Sequence, residues 1–271
     1  MATRISLRNA RFQQLQTLLT NRNKRHRAGQ FIVQGVRPIT MAVEHGWEIQ
    51  ALLYDGERRL SQWARNLLAA HPHTEHVKMS PDLLAELAEK DEAELLAVVA
   101  MRPDDLDRID AGQDLLGVVF DRPTQPGNIG AVIRSADAFG AHGVITTGHS
   151  ADAYDPKAVR ATTGSFFAMP VVRSPSPAAV VSWVEERRAA GLPIVVVATD
   201  EGGEADVSAF DLTQPVLLLV GSETDGLTRA WRDAADVTLS IPMTGSASSL
   251  NAANAATVVL YEARRQRLAG R

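Results

Sequence analysis

The chain has 271 residues, of which 45% are hydrophobic and 22% charged, as is typical of a globular protein with one large domain or two ordinary ones. It contains no cysteine, which excludes disulfides, thiolate metal sites and catalysis through a cysteine nucleophile. The apolar runs are too short to span a bilayer and no signal-peptide pattern occurs, so we expect a cytoplasmic protein without a membrane partner.

The formal net charge of −4 conceals a basic first segment. Residues 1–40 contain no Asp or Glu, and the first acid is Glu44. Such a block is typical of a phosphate-binding surface, although a solvated basic face without a partner explains the same charges. Interleaved Asn and Gln side chains can hydrogen-bond sugars and bases, which favours RNA. The candidate RNA-binding residues in this segment are Arg8, Arg11, Arg22, Lys24, Arg25, Arg27 and Arg37.

The first hundred residues are predicted to form a small α/β domain. Helical periodicity predicts helices over 6–20, 35–45, 60–70 and 80–87. Apolar runs predict strands over 31–33, 49–54 and 95–100. The polar, proline-containing stretch 101–108 predicts a linker, so we place one domain over 1–105 and a second over 106–271.

Beyond the linker, strands and helices alternate regularly. Strands are expected over 115–120, 143–147, 168–172, 194–198, 216–220 and 238–241. Helices are expected over 129–139, 156–163, 177–190, 227–234 and 250–267. Apolar strands that alternate with helices indicate a parallel sheet covered on both faces. Ligands of such sheets bind beyond the carboxyl ends of the strands.

The first candidate segment follows the strand over 115–120. Proline and glycine predict a turn there, and Asn128 is expected to cap the next helix. Arg134 lies off the apolar stripe of that helix, one turn after Gly130. Taken alone, this N-x-G-x-x-x-R pattern is more typical of a capped surface helix with an ordinary arginine.

The second candidate segment follows the strand over 216–220. Gly221 and Gly226 flank the acid Glu223, so the backbone of this loop can wrap a ligand, although a plain strand-to-helix turn has the same composition. No G-x-G-x-x-G sequence follows a strand and no G-x-x-x-x-G-K-[ST] loop occurs. Dinucleotide binding and nucleoside-triphosphate chemistry are therefore disfavoured.

The third candidate segment is the Gly- and Ser-rich loop after Ile241. Ser248 or Ser249 is expected to cap the helix that follows. The first turns of that helix consist almost entirely of small residues, which permits close packing on another chain segment. A flexible linker fits poorly, because an apolar helix follows at once.

In this order the three segments resemble the SpoU (TrmH-like) class of SPOUT RNA 2′-O-ribose methyltransferases over residues 112–271. The region 5–105 resembles the L30e/L7Ae-type RNA-binding domain of the members that act on ribosomal RNA. The stretches 21–25 and 248–255 are most similar to antibiotic-resistance 23S rRNA methyltransferases of the avilamycin and thiostrepton type. The resemblance departs at Ala252 and Ala253, where many members have Val and Ser.

The resemblance implies a parallel-sheet domain with a deep trefoil knot that binds S-adenosylmethionine. It also implies a homodimer with packed knots, for which Val258, Leu260 and Tyr261 on the last helix are candidate interface residues. No metal is required. By motif position, the residues that would hold the cofactor are Thr199, Leu219, Val220, Gly221, Ile241, Met243, Ser249 and Leu250.

The implied reaction is attack of a ribose 2′-hydroxyl of RNA on the sulfonium methyl group. Arg134 would stabilise the developing alkoxide and grip the adjacent phosphate, because a guanidinium is not readily deprotonated in a protein. Asn128 and Asn251 would position the hydroxyl and Arg134, and Glu223 would orient one of these groups. Arg160 matches a family position that is expected to reach the partner subunit's site.

Two other functions stay open at this point. A transfer-RNA 2′-O-methylase shares the motifs, whereas the separate N-terminal domain favours ribosomal RNA. A non-catalytic RNA-binding or ribosome-assembly protein is disfavoured by the intact set of motif residues. The motifs do not separate housekeeping methylation from self-protection against a drug. His71, His73 and His76 are expected in a solvated loop rather than at a metal.

Overall fold

A computed structural model describes residues 3–90 and 93–270. The chain forms two compact units. The first comprises the chain up to Arg102 together with Tyr154–Ala168, and the second comprises Pro103–Ala153 together with the chain from Met169 onward. The predicted single boundary after residue 105 did not include Tyr154–Ala168 in the first unit. In the described ranges, no helix is long and apolar enough to cross a membrane.

The first unit contains a mixed five-stranded sheet in the order β1-β4-β3-β5-β2. Its strands are β1 (Thr3–Ile5), β2 (Gln30–Gln34), β3 (Ile49–Asp55), β4 (Glu75–Met79) and β5 (Leu95–Ala100). Its helices are α1 (Ala10–Thr20), α2 (Arg22–Ala28), α3 (Val36–Glu44), α4 (Gln62–Ala70), α5 (Pro81–Ala88), α7 (Pro156–Ala161) and α8 (Ser165–Ala168), numbered in chain order. Strands β1, β4 and β3 are parallel, and β5 is antiparallel to both of its neighbours.

Sequence periodicity missed four elements of the first unit, β1, α2, β4 and α8, and two of them, α2 and β4, carry residues discussed above. Helix α2 begins at once after α1, because the side chain of Asn21 accepts a hydrogen bond from the Lys24 amide and caps a new helix. Strand β4 is short and half polar, and it places His76 in the sheet rather than in the expected solvated loop. Within residues 3–90 and 93–270, no group of His, Asp and Glu side chains could hold a metal ion.

The segment Tyr154–Ala168 supplies aromatic core to the first unit. Phe166 and Phe167 are fully buried. The ring centroids of Phe166 and Phe31 lie 5.9 Å apart, and those of Phe167 and Trp47 lie 5.2 Å apart. The Trp47 indole N–H also donates to the Phe167 carbonyl at 3.0 Å. Because aromatic side chains bury the largest apolar areas, this distant segment is part of the core.

Arg25 also lies in this core, so its assignment to the RNA-binding surface was wrong. Its side chain is 2% exposed. Nη1 donates to the carbonyls of Leu18 and Leu19, each at 3.0 Å, and Nη2 lies 3.6 Å from the Asp155 carboxylate. A buried guanidinium requires such partners, because an unpaired buried charge is strongly destabilising. Arg25 therefore joins the end of α1 to the Tyr154–Ala168 segment.

The second unit contains a seven-stranded sheet in the order β10-β12-β9-β11-β6-β7-β8. Its strands are β6 (Leu116–Asp121), β7 (Gly143–Thr147), β8 (Val171–Ser174), β9 (Val195–Thr199), β10 (Ala205–Asp206), β11 (Val216–Val220) and β12 (Val237–Ser240). Its helices are α6 (Pro126–Ala138), α9 (Pro177–Ala189), α10 (Arg229–Ala234) and α11 (Ala252–Ala269), with a 3-10 turn at Leu106–Arg108. The paired strands are parallel, which confirms the predicted sheet.

The order of these strands positions the candidate segments. Every residue of β6 and β11 is buried, as expected for central strands of a parallel sheet. Strands β12, β9, β11 and β6 are consecutive neighbours. Because parallel strands share one carboxyl edge, the loops that follow these four strands meet there. The trefoil knot stays a prediction from the resemblance.

We predict that Phe166→Ala destabilises the first unit, although residue 166 follows β7 in the chain. Truncating a buried phenylalanine costs about 3–5 kcal/mol of unfolding free energy. Hydrogen-exchange mass spectrometry should show faster exchange in the peptide that covers β2 and α3. Leu7→Ala is the control, because Leu7 is 76% exposed in the same unit. Unchanged protection of β2 and α3 in Phe166→Ala would contradict the assignment.

Candidate active site

A chain of side-chain hydrogen bonds joins the three candidate segments. Asn128 Nδ2 donates to Glu223 Oε1 at 2.6 Å. Glu223 Oε2 accepts from the backbone amide and the hydroxyl of Thr124 at 3.3 and 3.2 Å. Asn251 Nδ2 donates to Asn128 Oδ1 at 3.3 Å. We call Thr124, Asn128, Glu223 and Asn251 the motif network, and it brings together the loops after β6, β11 and β12.

The helix starts differ from the predicted caps, and this difference makes the network possible. Helix α6 begins after Gln125, so Asn128 lies inside the first turn and its side chain is free to reach Glu223. Helix α11 is capped by Asn251, whose Oδ1 accepts from the amides of Ala253 and Asn254. Neither Ser248 nor Ser249 is the cap. Because the oxygen of Asn251 is occupied by the helix amides, its Nδ2 is directed to Asn128.

Glu223 is held in its ionised form. Partial burial raises its pKa, but hydrogen bonds from Asn128, from its own backbone amide and from Thr124 lower the pKa more. The net pKa of Glu223 is therefore below its ordinary value of 4.5. An ionised carboxylate only accepts hydrogen bonds, so Glu223 fixes the orientation of the Asn128 amide and offers no proton near neutral pH.

A pocket of about 490 Å³ lies at the carboxyl ends of β9, β11 and β12. This volume is in the range of about 300–1,000 Å³ that small-molecule sites occupy. Its lining residues include the acids Asp200, Glu201, Glu223 and Asp225 and no Lys, Arg or His. Ile241, Met243 and Leu250 add apolar surface. The pocket therefore suits a ligand that combines positive charge with an apolar group.

Most of the residues that the resemblance assigned to the cofactor line this pocket. Leu219 does not; it is fully buried, and its carbonyl accepts a hydrogen bond from the Thr199 hydroxyl at 3.4 Å. Met243 and Leu250 are 37% and 38% exposed, so they form the rim. The residues found in the lining are Thr199, Val220, Gly221, Ile241, Met243, Ser249 and Leu250.

The Gly221–Leu227 loop closes tightly on itself. Ser222 and Gly226 form a backbone bridge with hydrogen bonds of 3.1 and 3.2 Å. A Cβ atom at position 221 would lie 2.5 Å from the Gly226 carbonyl carbon, so only glycine fits there. The sequence pattern identified this loop but missed Asp200, Glu201 and Asp225. The same logic of polar residues after a buried strand would have found Asp200 and Glu201 after β9.

Arg134 lies on the exposed side of α6, six residues after Asn128, which is a rise of about 9 Å along the helix. It is not among the residues that line the pocket. Within the described part of the chain, its guanidinium makes no hydrogen bond or ion pair. The neighbouring Ser135 hydroxyl lies 2.7 Å from that of Thr257, which fixes α6 against α11. Arg134 is therefore a solvated cation on a rigid helix.

The candidate RNA-binding residues of the first unit fall into three groups. Arg8 and Arg11 are ion-paired with Glu86 and Glu75 at 2.8 and 2.6 Å, so the acid-free segment is partly neutralised by acids from later in the chain. Arg160 is ion-paired with Glu89 at 3.2 Å. Arg37 is exposed and donates to the Thr163 carbonyl at 3.0 Å, while Arg22 is half-buried. Lys24 and Arg27 are exposed, and their side chains have no partner among the described residues.

The chain matches two family models. The SpoU rRNA Methylase family matches residues 115–261, and the SpoU L30e-like domain matches residues 9–97. A 23S rRNA (uridine(2479)-2′-O)-methyltransferase from Streptomyces viridochromogenes is 66% identical over 272 residues, which cover all of this chain and 94% of that protein.

Solved structures show the same similarity over both units. The SpoU methyltransferase AviRb from Streptomyces viridochromogenes, in complex with AdoMet, is 65% identical with a TM-score of 0.93 and covers 97% of this chain and 100% of its own. An AdoMet-bound rRNA methyltransferase from Sinorhizobium meliloti is 30% identical with a TM-score of 0.86, and covers 97% of this chain and 98% of its own. This protein therefore belongs to the SpoU rRNA methylase family.

Proposed function

We propose that this protein transfers a methyl group from S-adenosylmethionine to a ribose 2′-hydroxyl of 23S ribosomal RNA. The observation that carries the proposal is the motif network beside the acid-lined pocket, where the three candidate loops meet. The printed activity of the relative that is 66% identical over the full chain supports the same reaction. We also propose a cytoplasmic location, since the 66% identical relative is a bacterial 23S rRNA methyltransferase.

The pocket fits S-adenosylmethionine in charge and shape. When bound, this cofactor supplies a methyl group activated by a sulfonium centre. The carboxylates of Asp200, Glu201 and Asp225 complement the positive charges of such a donor. Ile241 and Leu250 provide apolar surface for an adenine ring. The narrow Gly221–Leu227 loop presents backbone groups that can hydrogen-bond the ligand.

The chain's own residues account for the remaining requirements of the reaction. Glu223 fixes the Asn128 amide, and Asn251 continues the same hydrogen-bonded line. We propose that these two amides orient a ribose hydroxyl next to the pocket, whose lining includes their partner Glu223. Arg134 is charged and free, so it can stabilise the negative charge that develops on the 2′-oxygen and hold the adjacent phosphate. The final proton acceptor is phosphate or water rather than the guanidinium.

We expect Arg134→Ala to lower the methylation rate constant by about 10²–10³-fold, the usual effect of removing one oxyanion-stabilising donor. Cofactor affinity should stay within twofold, because Arg134 does not line the pocket. Tritium transfer from labelled S-adenosylmethionine to 23S RNA measures the rate, and calorimetry measures binding.

Arg229→Ala is the matched control, since Arg229 is an 88% exposed arginine of the same unit whose side chain forms an ion pair with Asp233. A normal rate for Arg134→Ala would refute its role.

Primer extension on the product then maps the 2′-O-methyl position, and methylation of transfer RNA alone would favour the transfer-RNA alternative.

A homodimer is the second part of the proposal. Helix α11 exposes a row of apolar side chains, with Val258, Tyr261 and Leu268 at 38%, 55% and 53% exposure. The Tyr261 ring contacts that of Phe139, the residue that follows α6, with centroids 5.9 Å apart. Leu260 is fully buried inside its own unit, so its assignment to the interface was wrong. Exposed apolar rows of this kind are typical of subunit interfaces.

We expect Tyr261→Asp to convert the dimer to a monomer, because it places a charge in an apolar interface. Tyr261→Phe keeps the ring and should stay dimeric. Sedimentation velocity distinguishes the two states. A wild-type protein that sediments as a monomer at micromolar concentration would end this part of the proposal.

The RNA interface is proposed on Lys24 and Arg27, the exposed cations of α2. Charge reversal at both, Lys24→Glu with Arg27→Glu, should weaken RNA binding and lower the slope of log affinity against log salt by about two. Arg8→Glu is the control, since Glu86 already neutralises Arg8, and its effect should be smaller. Fluorescence anisotropy with a 23S RNA fragment measures both, and equal salt slopes for the double variant and wild type would exclude this interface.

A further inference from the structure

Arg122 has a backbone conformation that is unusual for its residue type. It directly follows β6 with φ = +48°, in the left-handed region that favours glycine. The residue after β6 could be a glycine without disturbing the turn. An arginine adopts this conformation only where contacts of its side chain offset the cost of the backbone strain. Such outliers cluster at functional sites.

The surroundings of Arg122 leave room for its side chain. A Cβ atom at Gly148, the residue after β7, would lie 2.8 Å from Arg122 Cγ. The stem of Arg122 therefore passes over Gly148, and a larger residue there would displace it. The side chain is 30% exposed, so its course is set by packing rather than by solvent alone.

The guanidinium of Arg122 reaches the loop that lines the pocket. Nη2 donates to the Gly226 carbonyl at 3.2 Å, and Nη1 lies 3.6 Å from the Asp225 carboxylate. On the other side, Nε lies 3.4 Å from Asp121 Oδ2. The Arg122 contacts thus connect the end of β6 to the far side of the Gly221–Leu227 loop.

Asp121 gives this connection a rigid base. Its carboxylate is 1% exposed and accepts hydrogen bonds from the Thr147 hydroxyl and from the Thr228 amide, each at 2.9 Å. The Thr147 hydroxyl in turn accepts from the indole N–H of the buried Trp231 at 3.2 Å. Arg122 is therefore anchored on a buried network and extends from it to a solvent-exposed loop.

We infer that Arg122 is a positioning residue, whose guanidinium holds the Gly221–Leu227 loop in the conformation that receives S-adenosylmethionine. The inference rests on the proposed function, because the ligand of the pocket is taken from it. A loop that is already ordered before binding loses less entropy when the ligand enters, so affinity depends on the contacts of Arg122 even without direct contact to the ligand.

The test compares Arg122→Gly, Arg122→Lys and wild type as full-length proteins. Arg122→Gly removes the contacts and also relieves the left-handed strain. We expect its Kd for S-adenosylmethionine to rise about tenfold, which corresponds to about 1.4 kcal/mol, while Tm is equal or higher. Arg122→Lys keeps one charged donor and should give an intermediate Kd. KM for the cofactor should rise, with kcat and KM for RNA retained.

Hydrogen exchange of the peptide 221–227 in the free protein provides a readout that needs no cofactor. Exchange should be faster in Arg122→Gly than in wild type. Thr163→Gly is the matched control, because Thr163 is exposed and has φ = +52° in the other unit. It should leave cofactor affinity and exchange of 221–227 unchanged.

An Arg122→Gly protein with wild-type affinity and wild-type exchange of 221–227 would overturn the inference. If wild type itself binds no S-adenosylmethionine, the proposed function fails. In that case, unchanged exchange also refutes the positioning of the loop, whereas faster exchange in Arg122→Gly still supports it. The two failures are therefore distinguishable.

Discussion

The hydrogen bond between Asn128 and the ionised Glu223 is the contact on which the site depends. At 2.6 Å it joins the first turn of α6 to the loop after β11, two segments that are far apart in sequence. Because the carboxylate can only accept, it forces Asn128 to present its oxygen to Asn251. Asn251 is in turn fixed by capping α11. The carboxylate of Glu223 thus sets the direction of the Asn128 amide, and the helix cap sets the direction of the Asn251 amide.

Charge is divided between the pocket and the surface around it. The charged side chains of the pocket lining are all carboxylates. The guanidinium of Arg134, which has no partner among the described residues, lies outside the pocket on α6. This division suits a reaction between a cationic methyl donor and an anionic RNA strand. In the proposed reaction the acids would attract the donor, and Arg134 would attract the phosphate of the acceptor. In the reaction proposed above, Arg134 acts as a fixed positive charge, because a guanidinium is not readily deprotonated in a protein.

The first unit illustrates why the basic residues of a segment do not by themselves predict which side chains are available to bind RNA. Charge counting treats all arginines alike, but Arg25 is a core residue that holds backbone carbonyls, and Arg8 and Arg11 are paired with acids from later in the chain. Lys24 and Arg27 remain as exposed cations on α2. The unit also needs Tyr154–Ala168 for its aromatic core. Removing residues 1–105 would therefore remove the packing partners of Phe166 and Phe167. A loss of RNA binding in such a truncated protein would not be separable from a loss of folding.

The sequence by itself determined most of the regular elements and the three candidate segments. Strands such as Gly143–Thr147 and Val216–Val220 were predicted with their observed bounds, because buried parallel strands are continuous apolar runs that need no partner to be recognised. Tertiary structure alone decided that Asn128 pairs with Glu223 instead of capping α6, that Leu260 and Arg25 are buried, and that Tyr154–Ala168 joins the first unit. Each of these depends on which distant group lies opposite a side chain, and local periodicity carries no information about that.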